Sequence, residues 1–494
     1  MPHLAFALIS VLAHVAAQEA RITDLVKAEY TDEGCEAAGW GPFPNATVAT
    51  STSLTAEAYS KAHGTSGCKC GMLYGLAHSS LSHEDDVAAM SRAVQGPTPC
   101  SGGTAAGFPC DGVDLIAHLP LSAFRTNTGE PPAAANDLWG WTHKKREFVI
   151  WGVSEGHFFV EITDSKPVVL AFVPSTDDKV SVWHDVKVLG DYAYMVADAS
   201  PDHGMQIFDL KRLLAIDPQK DGMQVLKPDE TYFGTEDYPV GMTHNLAVNE
   251  DSDFVYILGA NNGCVGGLHA VDVSNPLKPK FAACFSGAST VHDAQCVIYD
   301  GPDKRYRGRE ICFCFNQDHV AILDVTDKSD IEILKRLDYD AVSFTHQGWL
   351  SSDQKYLVFG DEFDEQYGRV DATRTLVMNV EDLENPGNIQ EFFGSTTATD
   401  HNLYVAKHKK DDYIYEANYR AGLQILKVKD YATADLVEVG RFDTYPDDDS
   451  SDFAGAWSVY PYFKSGLLAV SSIEEGLFLV KRAESSRRLR GARV

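Results

Sequence analysis

Gly267-Leu-His-Ala-Val-Asp-Val-Ser-Asn-Pro276 is a glycine, a short apolar strand and an acidic turn, and the same pattern returns along the chain. Gly156-His-Phe-Phe-Val-Glu-Ile-Thr-Asp164 and Gly204-Met-Gln-Ile-Phe-Asp209 precede it. His319-Val-Ala-Ile-Leu-Asp-Val-Thr-Asp327, Arg374-Thr-Leu-Val-Met-Asn-Val-Glu-Asp-Leu-Glu-Asn-Pro386, Gly422-Leu-Gln-Ile-Leu-Lys427 and Gly476-Leu-Phe-Leu-Val-Lys481 follow it. Between these copies, β-branched and aromatic runs alternate with Gly, Asp, Asn and Pro turns every ~8–12 residues, which marks an all-β chain. Seven copies of one unit, each about 45–60 residues long, have the size of propeller blades. A β-helix needs much shorter coils, and a sandwich does not repeat seven times. A closed ring also removes long exposed strand edges. The expectation is a seven-bladed β-propeller over residues 137–482, with six or eight blades as the alternatives.

Each unit has an opening as well, most often a histidine followed by an amide or acid. The openings are Trp183-His184-Asp185, Thr243-His244-Asn245, Val291-His292-Asp293, Thr345-His346-Gln347 and Asp400-His401-Asn402. The first unit opens near Trp139-Gly-Trp141 and the last near Gly455-Ala-Trp457-Ser. If these residues start the innermost strands, a propeller carries four or five imidazoles to one axis. Neutral imidazole ligates iron, copper, zinc or nickel, so His184, His244, His292, His346 and His401 are candidate ligands of a transition metal ion. Asn245, Asp293, Gln347 and Asn402 are then expected to be the acceptors that set each ring's tautomer. Carotenoid oxygenases, which hold iron through histidines on a propeller axis, are similar in architecture. The alternative is that each histidine satisfies buried turns within its own blade, and the protein is a non-catalytic scaffold for extracellular or surface proteins. Neither a Gly-x-Ser-x-Gly elbow nor a phosphate-cradling loop is present, and no hydrolytic triad stands out.

Other segments are read against these two functions. Gly360-Asp-Glu-Phe-Asp-Glu365 lacks the alternating spacing of an EF-hand loop and reads as an acidic solvated loop, with calcium binding as the alternative. Within it, Glu362 is a candidate carboxylate for the channel mouth. Asp447-Asp-Asp-Ser-Ser-Asp452 reads the same way. Glu416 and Arg420 flank Asn418, which suggests an ion pair between blades, with an anionic ligand as the alternative for Arg420. Trp457 is placed where the ring closes and is a candidate lining residue.

Several of these strings together resemble a known family. His292-Asp-Ala-Gln-Cys-Val-Ile-Tyr299, Arg309-Glu-Ile-Cys-Phe313, Thr345-His-Gln-Gly-Trp-Leu350 and Asp400-His-Asn-Leu-Tyr-Val405 are among the motifs that carry the resemblance. Ala417-Asn-Tyr-Arg-Ala-Gly422, Phe442-Asp-Thr-Tyr-Pro446 and Gly455-Ala-Trp-Ser-Val-Tyr-Pro461 complete the set. The strand-and-turn unit resembles the LVIVD repeat, and the run from Trp139 to Val480 is similar to the choice-of-anchor B family of secreted or surface propellers. The resemblance implies a fold and an export route, and it implies no reaction. Members often carry arginine where this chain has His184. Cys110-Asp-Gly-Val-Asp-Leu-Ile-Ala117 is similar to the family's upstream segment.

The ends and the composition fit that route. Leu4 to Ala17 is an apolar run closed by Val15-Ala-Ala17, so residues 1–17 read as a signal peptide. Residues 18–136 form a cysteine-bearing N-terminal extension, and 483–494 a basic tail. No later stretch reaches the ~18 apolar residues of a membrane span. Ten cysteines suit an oxidising compartment, and most are expected in disulfides. Cys296 and Cys312 flank a polar loop on two apolar segments, and Cys264 and Cys284 are further candidates, with connectivity left open. Asn45-Ala-Thr47 is the glycosylation sequon. The 494 residues hold 71 acids against 42 bases, a net charge of −29. That balance excludes nucleic acid, whose binding requires lysine and arginine at the phosphates. A small molecule or a surface protein is the expected partner.

Overall fold

The computed structural model describes residues 94–177, 179–260 and 264–483. Among them, seven sheets follow one another around a ring, antiparallel throughout except where Gln224–Val225 runs parallel to Val168–Pro174. The inner strands are Ala135–His143, His184–Leu189, Asn245–Asn249, Asp293–Ile298, Thr345–Leu350, Leu403–His408 and Ala456–Tyr460. Each inner strand packs beside the next, and the last packs beside the first. The protein is therefore a seven-bladed β-propeller, and the alternatives of six or eight blades fall away. We number the blades 1 to 7 in the order of these strands.

The glycine-strand-acid copies become the third strands, from Gly156–Glu161 in blade 1 to Gly476–Arg482 in blade 7. Their largely apolar texture reflects burial on both faces, because blades stack face to face. Ile207, Val271, Ile322 and Leu426 are at most 1% exposed in these strands.

Blade 7 is completed by a strand from before the repeats. Val113–Leu119 pairs antiparallel with Gly476–Arg482, placing His118 opposite Phe478, and Val94–Thr98 pairs beyond it. Phe108–Asp111 extends blade 6 in the same way, with Cys110 opposite Phe442. Residues 94–119, which sequence patterning puts in the extension, thus supply outer strands to the ring. Phe108, Phe442, Phe478 and the His118 ring pack together there. Pairing early and late strands leaves no open edge at the junction.

Three disulfides are formed among the described residues: Cys100–Cys110, Cys264–Cys284 and Cys296–Cys312. Cys296 and Cys312 face each other across adjacent strands of blade 4, and Cys314 is a buried thiol. Cys35, Cys68, Cys70, the Asn45 sequon, residues 1–17 and residues 484–494 lie outside the described residues. No helix among the described residues is long and apolar enough to cross a membrane.

Candidate metal centre

The histidine openings sit at or just before the inner strands of blades 2 to 6, where a side chain aimed at the axis meets its equivalents. His244, His292, His346 and His401 form a continuous arc. Ring centroids lie 4.4 Å apart between His244 and His292, 4.5 Å between His292 and His346, and 4.4 Å between His346 and His401. Their exposures are 9%, 6%, 2% and 2%.

Glu362 completes the arc. It follows the second strand of blade 5 and is fully buried, with Oε2 3.7 Å from His346 Nε2 and Oε1 3.6 Å from His401 Nε2. The Tyr419 hydroxyl donates to Oε1 at 2.7 Å, whereas Oε2 has no hydrogen-bond partner. His346, Glu362 and His401 offer ligand atoms all within 4.8 Å of one another. Ligand atoms on opposite sides of one metal ion, each about 2.0–2.2 Å from it, lie about 4 Å apart, so this spacing is of the right order.

The far nitrogens of three rings are engaged. His244 Nδ1 lies 2.9 Å from Asp198 Oδ2, His292 Nδ1 2.9 Å from the His346 carbonyl, and His401 Nδ1 2.5 Å from the Trp457 carbonyl. Oxygens of these kinds accept, so each Nδ1 carries a proton, and in the neutral ring Nε2 is left with a lone pair. The consequence is sharpest between His244 and His292, whose Nε2 atoms are 2.7 Å apart. Burial holds His346 well below the usual imidazole range and His401 at about 3, so both rings stay neutral and able to ligate. Burial also pushes the Glu362 carboxyl up to about 8. A bound cation would reverse that shift and hold it ionised.

Three inner strands are bulged where the site needs it. In blade 5, Thr345 pairs with Asp361 and Gly348 with Phe359, so His346 and Gln347 together face Gly360. Blade 7 inserts Trp457 between Ala456 and Ser458, and in blade 1 Asn136 and Asp137 together face Gly152. A bulge bends the strand and re-aims its side chains, here toward the axis.

The amides and acids after the histidines do something other than set tautomers. Asp185 accepts from Leu246 N at 2.6 Å, Asn245 donates to the His292 carbonyl at 2.9 Å, Gln347 accepts from Leu403 N at 2.9 Å, and Asn402 donates to the Trp457 carbonyl at 3.1 Å. Each tie joins one blade's inner strand to the next blade's backbone. Asp293 stays within its own blade and accepts from Ala294 N. Asp198 and the main-chain carbonyls take the tautomer-setting role instead.

Aromatic layers close the arc on both sides. Phe344 lies 5.0 Å from His292, and Phe363 and Phe453 continue that layer across the axis at 5.0 and 5.6 Å. Farther along the inner strands, Trp139, Trp349, Tyr404 and Tyr460 pack edge-to-face at 5.1–5.4 Å. Lys187 lies over Trp139 and bonds Asp185 at 2.6 Å and Asp137 at 3.3 Å, an ion cluster that sequence patterning did not signal.

The other candidates fall elsewhere. His184 is buried but turned away, with Nε2 3.0 Å from Ser175 Oγ and its ring among His157 and His203 at 5.2 and 5.8 Å. Arg420 is paired with Asp448 at 2.7 Å, so part of the 447–452 loop packs on it rather than standing free in solvent. Trp457 borders the site through its carbonyl and its ring, 4.8 Å from His401. The 360–365 segment corrects the sequence reading most. Asp361, Glu362 and Asp364 are fully buried and Glu365 is 7% exposed, so this is no solvated loop. In sequence a run of charges carries no mark of burial, which arises only when a neighbouring blade covers it.

No family model matches the chain, and no curated protein matches it. Solved structures with similarity include a protein from Lactobacillus plantarum, at 14% identity and TM-score 0.43, covering 68% of this chain and 88% of that one. Another is a functionally unknown protein from Desulfotomaculum acetoxidans, at 12% identity and TM-score 0.40, covering 63% of this chain and 90% of that one.

Proposed function

We propose that this propeller binds a transition metal ion on its axis through His244, His292, His346 and His401, with Glu362 as the anionic ligand, and that it works outside the cell. The observation that carries the reading is the His244–His292 contact. Both Nδ1 atoms are committed to oxygens, so two Nε2 lone pairs face each other at 2.7 Å. They repel unless a cation lies between or beside them, either a metal ion or a proton shared by the pair. The partnerless Glu362 Oε2 supports the same reading. Imidazoles with one carboxylate suit iron, copper, zinc or nickel. The three disulfides, the apolar N-terminal run and the resemblance to choice-of-anchor B propellers support export.

A second reading is a scaffold whose histidines are structural, and the blade-to-blade ties made by Asp185, Asn245, Gln347 and Asn402 favour it. Elemental analysis of the purified native protein decides between the two. The metal reading expects close to one transition metal ion per chain, lost in His346→Ala and His401→Ala. A folded wild-type protein that holds no metal, and takes none up when supplied, would leave a proton between His244 and His292 and favour the scaffold.

A further inference from the structure

Glu362 belongs to a segment that carries a second set of carboxylates. Asp364 and Glu365 follow it, and Asp400, the residue before His401, meets them from blade 6. The three offer oxygen atoms all within 4.8 Å of one another, and their exposures are 0%, 7% and 2%. Arg374 satisfies only part of the group. Its Nε donates to Asp364 Oδ2 at 2.6 Å, and its main-chain N–H donates to Glu365 Oε1 at 2.7 Å. The rest of the guanidinium is turned to Glu391 and to the Asp340 and Ala341 carbonyls. Both oxygens of Asp400 remain without a hydrogen-bond partner, and the remaining oxygens of Asp364 and Glu365 have none beyond each other's carboxyl.

Asp400 is the decisive member. A side chain 2% exposed whose two carboxylate oxygens both lack partners is strongly disfavoured as an anion unless a cation neutralises it. The backbone makes room for it, since Gly360 lies so close that a Cβ there would collide with the Asp400 carboxylate. The donors are all hard oxygens with no imidazole or thiolate among them, which selects calcium over zinc, iron or copper. Two oxygens on opposite sides of a calcium ion, each 2.3–2.6 Å from it, are about 5 Å apart, so the observed spacing fits one ion.

We propose that Asp364, Glu365 and Asp400 hold one calcium ion between blades 5 and 6, a site distinct from the histidine centre. The ion ties the loop that carries Glu362 to the start of the blade 6 inner strand. Arg374 offsets one of the three charges, and water completes the coordination.

The test uses the full-length protein. Elemental analysis should find about one calcium per chain, removed by EGTA. Adding calcium chloride back to ~100 times its dissociation constant should raise the thermal midpoint by ~3 °C, from ligand linkage spread over a domain of this size. Asp400→Asn should abolish the calcium response. If that variant does not fold, Glu365→Gln and the wild-type chelation series carry the same test. Wild-type protein that holds no calcium, and whose midpoint ignores both EGTA and added calcium, overturns the proposal and leaves shared protons on the three carboxyls. The histidine reading is tested apart from this one: His346→Ala should lose the transition metal and keep the calcium response.

Discussion

Replacing Asp198 by asparagine separates a metal centre from a set of structural histidines. Asp198 is fully buried, and its Oδ2 is 2.9 Å from His244 Nδ1 while its Oδ1 accepts from Ala199 N at 2.7 Å. Asparagine keeps the shape but offers one acceptor oxygen and a donating amide nitrogen, so the Ala199 N–H and the His244 Nδ1–H can no longer both be accepted. The negative charge that makes the imidazole a more basic ligand disappears as well, and an amide N–H turned to Nδ1 moves the ring proton to Nε2, where it opposes ligation. Loss of such an outer partner costs about 10–100-fold in metal affinity, or ~1.4–2.7 kcal/mol. The assay is a competition titration against a chromophoric chelator, with thermal unfolding of the metal-free proteins alongside. The metal-free variant should unfold a few degrees lower, because a charge-assisted hydrogen bond has become a neutral one. Affinity should fall by one to two decades in the same samples. A dissociation constant within threefold of wild type, in a protein shown to hold metal at the histidines, would refute the reasoning. It would mean that His244 stands outside the coordination sphere.

Further outcomes follow from the same geometry. His184→Ala should leave metal content unchanged, since that ring bonds Ser175 and lies apart from the arc, whereas His346→Ala should empty the site; equal metal loss in both variants would contradict the placement. Removing the Cys296–Cys312 disulfide by paired alanines should lower stability by ~3 kcal/mol in denaturant, from the entropy of the closed loop, and an unchanged midpoint would argue against it. Glu416 is pushed up to about 7 by burial, above its ordinary 4.5. Its folded value lies above its unfolded one, so its contribution to stability is full below about pH 4.5 and is lost as pH rises through 7. Glu416→Gln should therefore flatten the wild-type decline between pH 5 and 9 by up to ~3 kcal/mol, read from urea midpoints across that range. A pH slope identical to wild type would show that the group does not change its protonation on folding.

Much of the fold was legible because repetition is a one-dimensional property. Gly267–Pro276 and its six counterparts became third strands, and the His-Asx openings became inner strands, as their order along each unit predicted. The closing strand Val113–Leu119 was not legible as part of the ring. It belongs to no copy of the repeat, and only the ring's closure creates a partner for it.

The site was legible in part. His244, His292, His346 and His401 could be named from spacing, since equivalent positions in a propeller converge on one axis. His184 shares their local pattern yet points elsewhere, and side-chain direction depends on bulges and neighbours that the motif does not encode. Glu362 was a candidate from its charge alone, Asp364 and Glu365 read as part of a solvated loop with calcium binding as the alternative, and nothing in the sequence singled out Asp198.

The sequence by itself determined the repeat, the blade count it implies and the residue types brought to the axis, because each depends on periodicity along the chain. Tertiary structure alone decided which imidazoles meet, which nitrogens are left with lone pairs, and which acids are stripped of water. Those properties depend on contacts between blades made by residues far apart in the chain, such as His244 with Asp198 and Asp400 with Asp364 and Glu365. Desolvation by a neighbouring blade is what turns an acidic run into a place that needs a cation.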